Sequence, residues 1–352
     1  MSGQQPLIRH QYIDRESGQI CTEHLYAHQM INLLYSNVLE NAPSLFRLLT
    51  GPRFTKWLGY LNYESFIGGK ILGHEYFIKA CNFNIGECLE NPEHLDSLKK
   101  IFERKIRYWD CRPLPQDMRA VVSPCDSRML CGSLAETSQL FIKGKFFDLE
   151  ELFGTAKRRW RDSFHDGDFA LFRLTPEKYH YNHTPVAGKI IDFYQVEGTY
   201  HSCNPQAVLT VATPYSKNRH IVTTIDTDVP GGTSVGLVAM VEVVALMIGG
   251  ITQCYSKIRY DDPVLVGTGM FLERGVPKSL FRPGSSTVIL LFEKERVRFD
   301  KDIVANMSAD GGVSIFSRGF GKSLMETDVK VRSLIGASQP GNIDSIGACY
   351  VQ

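Results

Sequence analysis

Several common site signatures are missing from this sequence. Its nine cysteines, an odd number, never adopt C-x-x-C or C-x-x-C-H spacing. That argues against a zinc ribbon and a disulfide framework, so the thiols are expected to be reduced and no metal site is expected. No charge of one sign dominates: 39 Lys and Arg face 38 Asp and Glu, for a net +1. Nothing in that balance steers the chain toward nucleic acid, and no such partner is expected. The basic run Lys157-Arg158-Arg159-Trp160-Arg161 is short and is read as a solvated helix end or loop. No apolar stretch reaches the length of a membrane-spanning helix, about 20 residues. Met1 to Pro6 lacks the charged-then-apolar pattern of a signal peptide. The expectation is a cytoplasmic protein whose membrane contact is peripheral. Gly231-Gly232-Thr233-Ser234-Val235-Gly236 has no Lys-Ser/Thr ending and is read as a hairpin turn rather than a phosphate loop. Repeats and low-complexity tracts are absent as well.

What is present is ordinary globular material: 352 residues, 43% hydrophobic and 22% charged. That suffices for one large or two modest domains. The chain is read as α+β, an N-terminal helical region over 1–107 followed by a mainly antiparallel β core over 108–352. Leu25, Met30, Ile31, Leu33, Leu34, Val38 and Leu39 recur at near-helical spacing, and Asn91-Pro92-Glu93 reads as a helix start. Between Leu45 and Phe66, apolar and aromatic residues alternate with Arg47, Arg53 and Lys56. This pattern fits either an amphipathic element on a bilayer or a helix packed on the core.

After Trp109 the rhythm changes to short β-branched runs punctuated by Gly, Pro and Asp: Ala120–Val122, Gly188–Phe193 and Ala207–Val211 are read as strands. Val238 to Ile251 is read as two buried strands or one bent strand, because valine is dense and glycines close it. The tail beyond Ser333 is expected to be loosely held.

The densest chemistry lies in three places: Ser123-Pro124-Cys125-Asp126, Tyr179-His180-Tyr181-Asn182-His183, and Gly284-Ser285-Ser286-Thr287 before an apolar strand. Serine, histidine and aspartate are the parts that activate a hydroxyl. A serine on a strained turn with a base nearby can attack the preceding carbonyl and convert an amide to an ester. β-Elimination then splits the chain, and the dehydroalanine left behind hydrolyses to a pyruvoyl group.

In five ordered blocks the sequence resembles the phosphatidylserine decarboxylase family, whose members are pyruvoyl-dependent and process themselves. The blocks are Arg112-Pro113-Leu114-Pro115 with Val122 to Asp126; Lys143 to Phe153; Tyr179 to Gly188; Val241 to Ile251; and Gly284 to Phe292. The third is similar to the family's Y-H-R-x-H-x-P-x-x-G and is the most specific. The resemblance implies that His183 deprotonates the serine, that Asp126 orients and stabilises the imidazole, and that His180 assists decarboxylation as a proton donor. It also implies cleavage at Gly284-Ser285-Ser286 into β and α chains that stay associated. The pyruvoyl group would form a Schiff base with phosphatidylserine at a membrane surface and release phosphatidylethanolamine and CO2. A homodimer is left open.

The sequence departs from the family at Ser127, Tyr181 and Val244, and it carries one serine more than G-S-T. Alignment from the downstream strand makes Ser286 the pyruvoyl precursor; requiring glycine immediately before the nucleophile makes it Ser285. Lys278, in a stretch unlike the family's, is open to a substrate phosphate or to solvent. Two other readings stand beside the lipid enzyme: a soluble aromatic amino-acid decarboxylase on the same scaffold, and a non-catalytic scaffold that never cleaves.

Overall fold

The computed structural model describes residues 9–25, 33–51, 53–54, 84–135, 145–246, 250–284, 286–321 and 323–339. In chain order the strands are β1 (Gln11–Asp14), β2 (Ile20–Thr22), β3 (Ala120–Val122), β4 (Ser127–Ser133), β5 (Asp168–Leu174) and β6 (Tyr181–His183). They continue with β7 (Gly188–Val196), β8 (His220–Asp226), β9 (Leu237–Val244), β10 (Ile251–Gln253) and β11 (Phe271–Leu272). The last five are β12 (Pro277–Phe281), β13 (Ser286–Phe292), β14 (Val297–Phe299), β15 (Glu326–Val329) and β16 (Leu334–Ser338). Ten of them form one sheet in the order β11-β7-β8-β9-β13-β5-β4-β15-β1-β2. Two three-stranded sheets, β10-β12-β6 and β14-β16-β3, complete the set among the described residues. All pairings are antiparallel except β1 with β15.

β13 lies in the middle of the large sheet, and its sequence shows why. Val288 to Phe292 is an unbroken apolar run, which suits a strand covered on both faces. Ile289 and Leu291 face a core built with Phe147, Leu152, Phe153, Trp160 and Phe164. Much of that layer comes from the helices Leu149–Phe153 and Arg158–Phe164. Val288, Leu290 and Phe292 face the opposite core, where Phe281 of β12 and Val121, Val297 and Ile335 of β3, β14 and β16 cover them. The large sheet is thus sandwiched between helices and the two small sheets. Truncating Ile289 to alanine would cost about 2–5 kcal/mol.

Helix and strand both occur as expected, but the local assignments need correction. Residues 11–14 and 20–22 of the supposed helical region are strands at the edge of the large sheet. The physical cause is a buried ion cluster. Arg173 of β5 donates to Glu326 Oε1 at 2.9 Å and to Glu23 Oε1 at 2.9 Å, clamping the N-terminal hairpin to β15. Asn91-Pro92-Glu93 does not open an α-helix; a single 3-10 turn follows, and the helix Leu98–Phe102 starts where the Ser97 side chain accepts from Lys100 N at 3.3 Å. Ala207–Val211 is not a strand. Pro205–Thr210 is helical, with Asn204 capping the Gln206 amide at 3.0 Å and proline in the first turn. Leu334–Ser338 is a paired strand, because β14 and β3 flank it on both sides.

Of Val238 to Ile251, residues 238–244 belong to the buried strand β9, while only Ile251 belongs to a second strand, β10, which is partly exposed and lies in a different sheet; residues 247–249 lie outside the described ones. Gly231 to Gly236 closes the β8–β9 hairpin. Of the Leu45–Phe66 segment, residues 52 and 55–66 lie outside the described residues. The helix Pro43–Leu49 buries Phe46 against Tyr35 and Ala207 and leaves Leu45 and Leu48 exposed. No helix among the described residues is long and apolar enough to cross a membrane.

Candidate active site

The predicted residues converge on one rim of the large sheet. β4 begins just after Asp126, β5 ends at Leu174, β9 ends at Val244 and β13 begins at Ser286. Ser286 pairs with Leu174 on one side and Val244 on the other, so this candidate nucleophile sits at the tip of the central strand. Its hydroxyl is fully buried and has no hydrogen-bond partner among the described residues. Just upstream, Gly284 has φ of +142°, a conformation that disfavours any side chain. Ser285 lies outside the described residues. β12 leads directly into this turn and also pairs with β6, which joins the histidine segment to the serine. Phe281 N donates to the carbonyl of His180 at 3.1 Å.

Both histidines are fully buried, and burial pushes each down to about 3. His180 donates from Nδ1 to the carbonyl of Lys178 at 2.7 Å, which leaves Nε2 as a bare acceptor. That nitrogen has no partner among the described residues, and the ring packs on Phe102 with centroids 4.6 Å apart. His183 donates from Nδ1 to Gly275 O at 3.0 Å, and its Nε2 lies 3.0 Å from the Tyr179 hydroxyl. Tyr108 presents its ring edge-on at 4.7 Å.

Asp126 is held by a different residue from the one expected. Arg112 reaches it through Nε at 3.2 Å and a terminal nitrogen at 2.9 Å, and Val331 N donates at 2.7 Å. Burial alone would raise its pKa, but the Arg112 charge and hydrogen bonds, Lys178 and the Val331 amide bring it down to about 2. No hydrogen bond joins Asp126 to His183; the two segments meet through the backbone, where His183 N donates to Pro124 O at 2.7 Å. Arg112 also pairs with Glu87 at 2.9 Å. Beside Asp126 lies a cavity of about 280 Å³ whose wall includes Arg104, Arg112, Lys178 and Tyr179.

Lys278 is neither solvated nor free for a phosphate. It is fully buried, with Nζ 2.6 Å from Glu242 Oε2 and 3.0 Å from Gln253 Oε1. Ser279 Oγ donates to the other carboxylate oxygen, and Asn182 donates to Ser279 Oγ at 3.0 Å. Glu242 sits opposite Val288 in the ladder, on the face that Ser286 shares two residues away. Sequence reading passed over this cluster although its signal was plain: one glutamate inside the apolar run Val238 to Ile248. Among the described residues His10, Glu23 and Glu326 converge closely enough to suggest a cation. Arg173 already supplies that charge, contacting both carboxylates. The run Lys157 to Arg161 sits largely on the helix Arg158–Phe164, which buries Trp160 and Phe164.

Comparison with known proteins points to one family. Residues 98–317 match the family model described as phosphatidylserine decarboxylase. A Fusobacterium nucleatum protein named phosphatidylserine decarboxylase proenzyme is 29% identical over 297 residues, covering 84% of this chain and 91% of its own. A Chlamydia trachomatis serovar L2 protein of the same name is 30% identical over 314 residues, covering 85% and 92%. The Schizosaccharomyces pombe protein named phosphatidylserine decarboxylase proenzyme 3 is 28% identical over 334 residues, covering 92% of this chain but 30% of its own length.

Proposed function

The chain belongs to the phosphatidylserine decarboxylase family, and from that premise we propose that it cleaves itself at Ser286 and then converts phosphatidylserine to phosphatidylethanolamine and CO2. The observation that carries this reading is the Ser286 hydroxyl, buried and unpartnered at the tip of β13, two residues beyond a glycine at positive φ. A buried hydroxyl without a partner costs about 1–3 kcal/mol, so its retention calls for a chemical reason.

In the cleavage, Ser286 Oγ bonds to the carbonyl carbon of Ser285 as the peptide C–N bond breaks and its nitrogen takes up a proton. His183, neutral because it is buried, is the base that receives the hydroxyl proton. Loss of the Ser286 α-proton expels the carboxylate of Ser285 as the new β-chain terminus. Water then replaces nitrogen in the dehydroalanine, releasing ammonia and leaving a pyruvoyl group on the α chain. Asp126, anionic and tied to Arg112, holds negative charge at the rim.

A pyruvoyl carbonyl supplies an electrophile for the substrate amine and a sink for the electrons of the breaking bond to carbon dioxide. Three features fit such a group at residue 286: the buried position, the glycine turn, and the orphaned Nε2 of His180, whose backbone carbonyl is bonded by the end of β12 that leads into that turn. Because His180 Nε2 rests unprotonated, it first accepts a proton from the substrate ammonium and later returns it to carbon. β13 is laddered to β5 and β9, which favours continued association of the two chains after scission. Exposed Leu45 and Leu48 support peripheral contact with a membrane.

Intact-mass measurement tests the first half: fragments should end at Ser285 and begin at residue 286 with a borohydride-reducible carbonyl. Assays with phosphatidylserine vesicles and with free tyrosine or tryptophan test the second. Turnover of the free amino acids alone would replace the lipid reading by the soluble one, and an uncleaved, inert chain would leave only a scaffold.

A further inference from the structure

A hydrogen-bond chain runs from His183 to the 256–261 segment through residues that the reaction above does not use. Tyr179 Oη lies 3.0 Å from His183 Nε2 and 2.7 Å from Tyr260 Oη. Tyr260 Oη lies 2.9 Å from the Ile106 carbonyl and accepts the Ile106 amide at 3.1 Å. At the other side of the ring, His183 Nδ1 faces the Gly275 carbonyl. A carbonyl only accepts, so Nδ1 keeps its hydrogen in either protonation state.

The remaining groups admit two proton arrangements. When His183 is neutral, Tyr260 donates to Tyr179, and Tyr179 donates to Nε2. When His183 is cationic, Nε2–H donates to Tyr179, Tyr179 donates to Tyr260, and Tyr260 turns its hydrogen to the Ile106 carbonyl. One proton is added at Nε2; the two hydroxyl protons stay on their own oxygens and only rotate. The Ile106 carbonyl already accepts from Tyr108 N at 2.8 Å, so the first arrangement does not strand it.

We propose that Tyr179 and Tyr260 are positioning residues for self-cleavage, their hydroxyls reversing direction together to give the His183 imidazolium a hydrogen-bond acceptor as the serine proton arrives. The inference rests on the assignment of His183 as base. It gives the tyrosines the contact that the family resemblance assigns to Asp126, whose carboxylate is bonded to Arg112 and Val331 N instead. The groups facing His183 are Tyr108, Tyr179, Arg332, Asp126 and Arg112. The two arginines disfavour the cation and Asp126 favours it, while burial disfavours it most. Lys105 lies over the Tyr260 ring, 5.3 Å from its centroid.

The test follows full-length chain made by cell-free translation and chased on denaturing gels. Tyr260→Phe keeps the ring contacts with Tyr108 and Tyr181 and removes only the hydroxyl. Cleavage should slow about tenfold or more, the scale of one hydrogen bond to a charged group. The acid limb of its pH–rate profile should move to lower pH, which a packing defect would not do. In a Tyr179→Phe background, Tyr260→Phe should add less than about twofold, because the chain is already cut. Wild-type rate and an unmoved limb in Tyr260→Phe, or fully multiplicative effects of the two substitutions, overturn the proposal while leaving self-cleavage intact. Failure of the wild type to cleave would sink the parent reading. The chain itself is then tested by nitrogen NMR on histidine-labelled Ser286→Ala protein. There His183 should be the Nδ1–H tautomer and titrate at lower pH after Tyr260→Phe; an unchanged titration overturns the proposal.

Discussion

Two buried polar regions lie on the same large sheet and differ in how their hydrogen bonds close. At the N-terminal edge, Arg173 reaches both Glu23 and Glu326, while His10 meets Glu326 at 2.8 Å and accepts the Ile315 amide at 3.2 Å. Around the tip of β13, on the other face of the sheet, Ser286 Oγ, His180 Nε2 and Asn182 Oδ1 are buried without partners among the described residues. In the first region the acid and histidine side chains are all bonded, and in the second a serine hydroxyl and a histidine nitrogen are left open. Both contain charged side chains and histidine, so composition alone does not tell a structural cluster from a reactive one. Unused bonding capacity alone does not either, since Arg128 Nε, Ser314 Oγ and Thr327 Oγ1 near the first cluster also lack a hydrogen bond among the described residues; the difference lies in which atoms are open, a hydroxyl together with an imidazole nitrogen.

The sharpest way to break this contrast is Ser286→Ala. It should abolish scission and activity entirely while leaving a folded full-length chain, read by denaturing gel and circular dichroism. Equal cleavage in that variant would move the reactive position to Ser285. Arg173→Met should do the reverse, stripping two buried carboxylates of their shared arginine at a cost of about 3–5 kcal/mol in urea denaturation. His180→Ala should still cleave but lose about 10²–10⁴ in turnover, the worth of a positioned acid or base. A variant that neither cleaves nor turns over would merge the roles of the two histidines.

A milder test uses acid. His180 and His183 titrate near 3 when folded, below the unfolded value near 6.5, so the unfolded chain binds more protons between those limits. Their contribution is fully present above about pH 6.5 and is lost as pH falls toward 3. Asp126, held near 2 against an ordinary value of 3.8, adds a loss of the same sign below about pH 4. Stability should therefore decline from pH 6.5 downward, and His180→Gln should flatten that slope in denaturation series. The smallest effect is expected from Leu45→Ser with Leu48→Ser, which should weaken vesicle binding several-fold without altering cleavage.

The sequence made the catalytic core legible where local pattern and tertiary need coincide. Val288 to Phe292 can only be a strand buried on both faces, and the serine at its start inherits a fixed register. Pro205 misled for the opposite reason: Ala207 to Val211 has strand composition, but a capping asparagine and a proline pre-set for the first helical turn outweigh that preference. The N-terminal hairpin was hidden because its partners, Arg173 and Glu326, lie 150 and 303 residues downstream of Glu23. The partner of Asp126 was hidden too. Arg112 stood in the resembling block, yet spacing along a chain does not reveal which of two nearby groups a carboxylate will choose.

The placement of β13 carries a further consequence for the life history of the molecule. Seven register pairs on each side hold this strand before any bond is cut, so the new terminus is created in place and never has to find its berth. Under the proposed reaction each polypeptide would manufacture a single electrophile once, with no route back to the precursor. Separately made halves should assemble poorly, since the inner strand would have to thread between two neighbours that have already met.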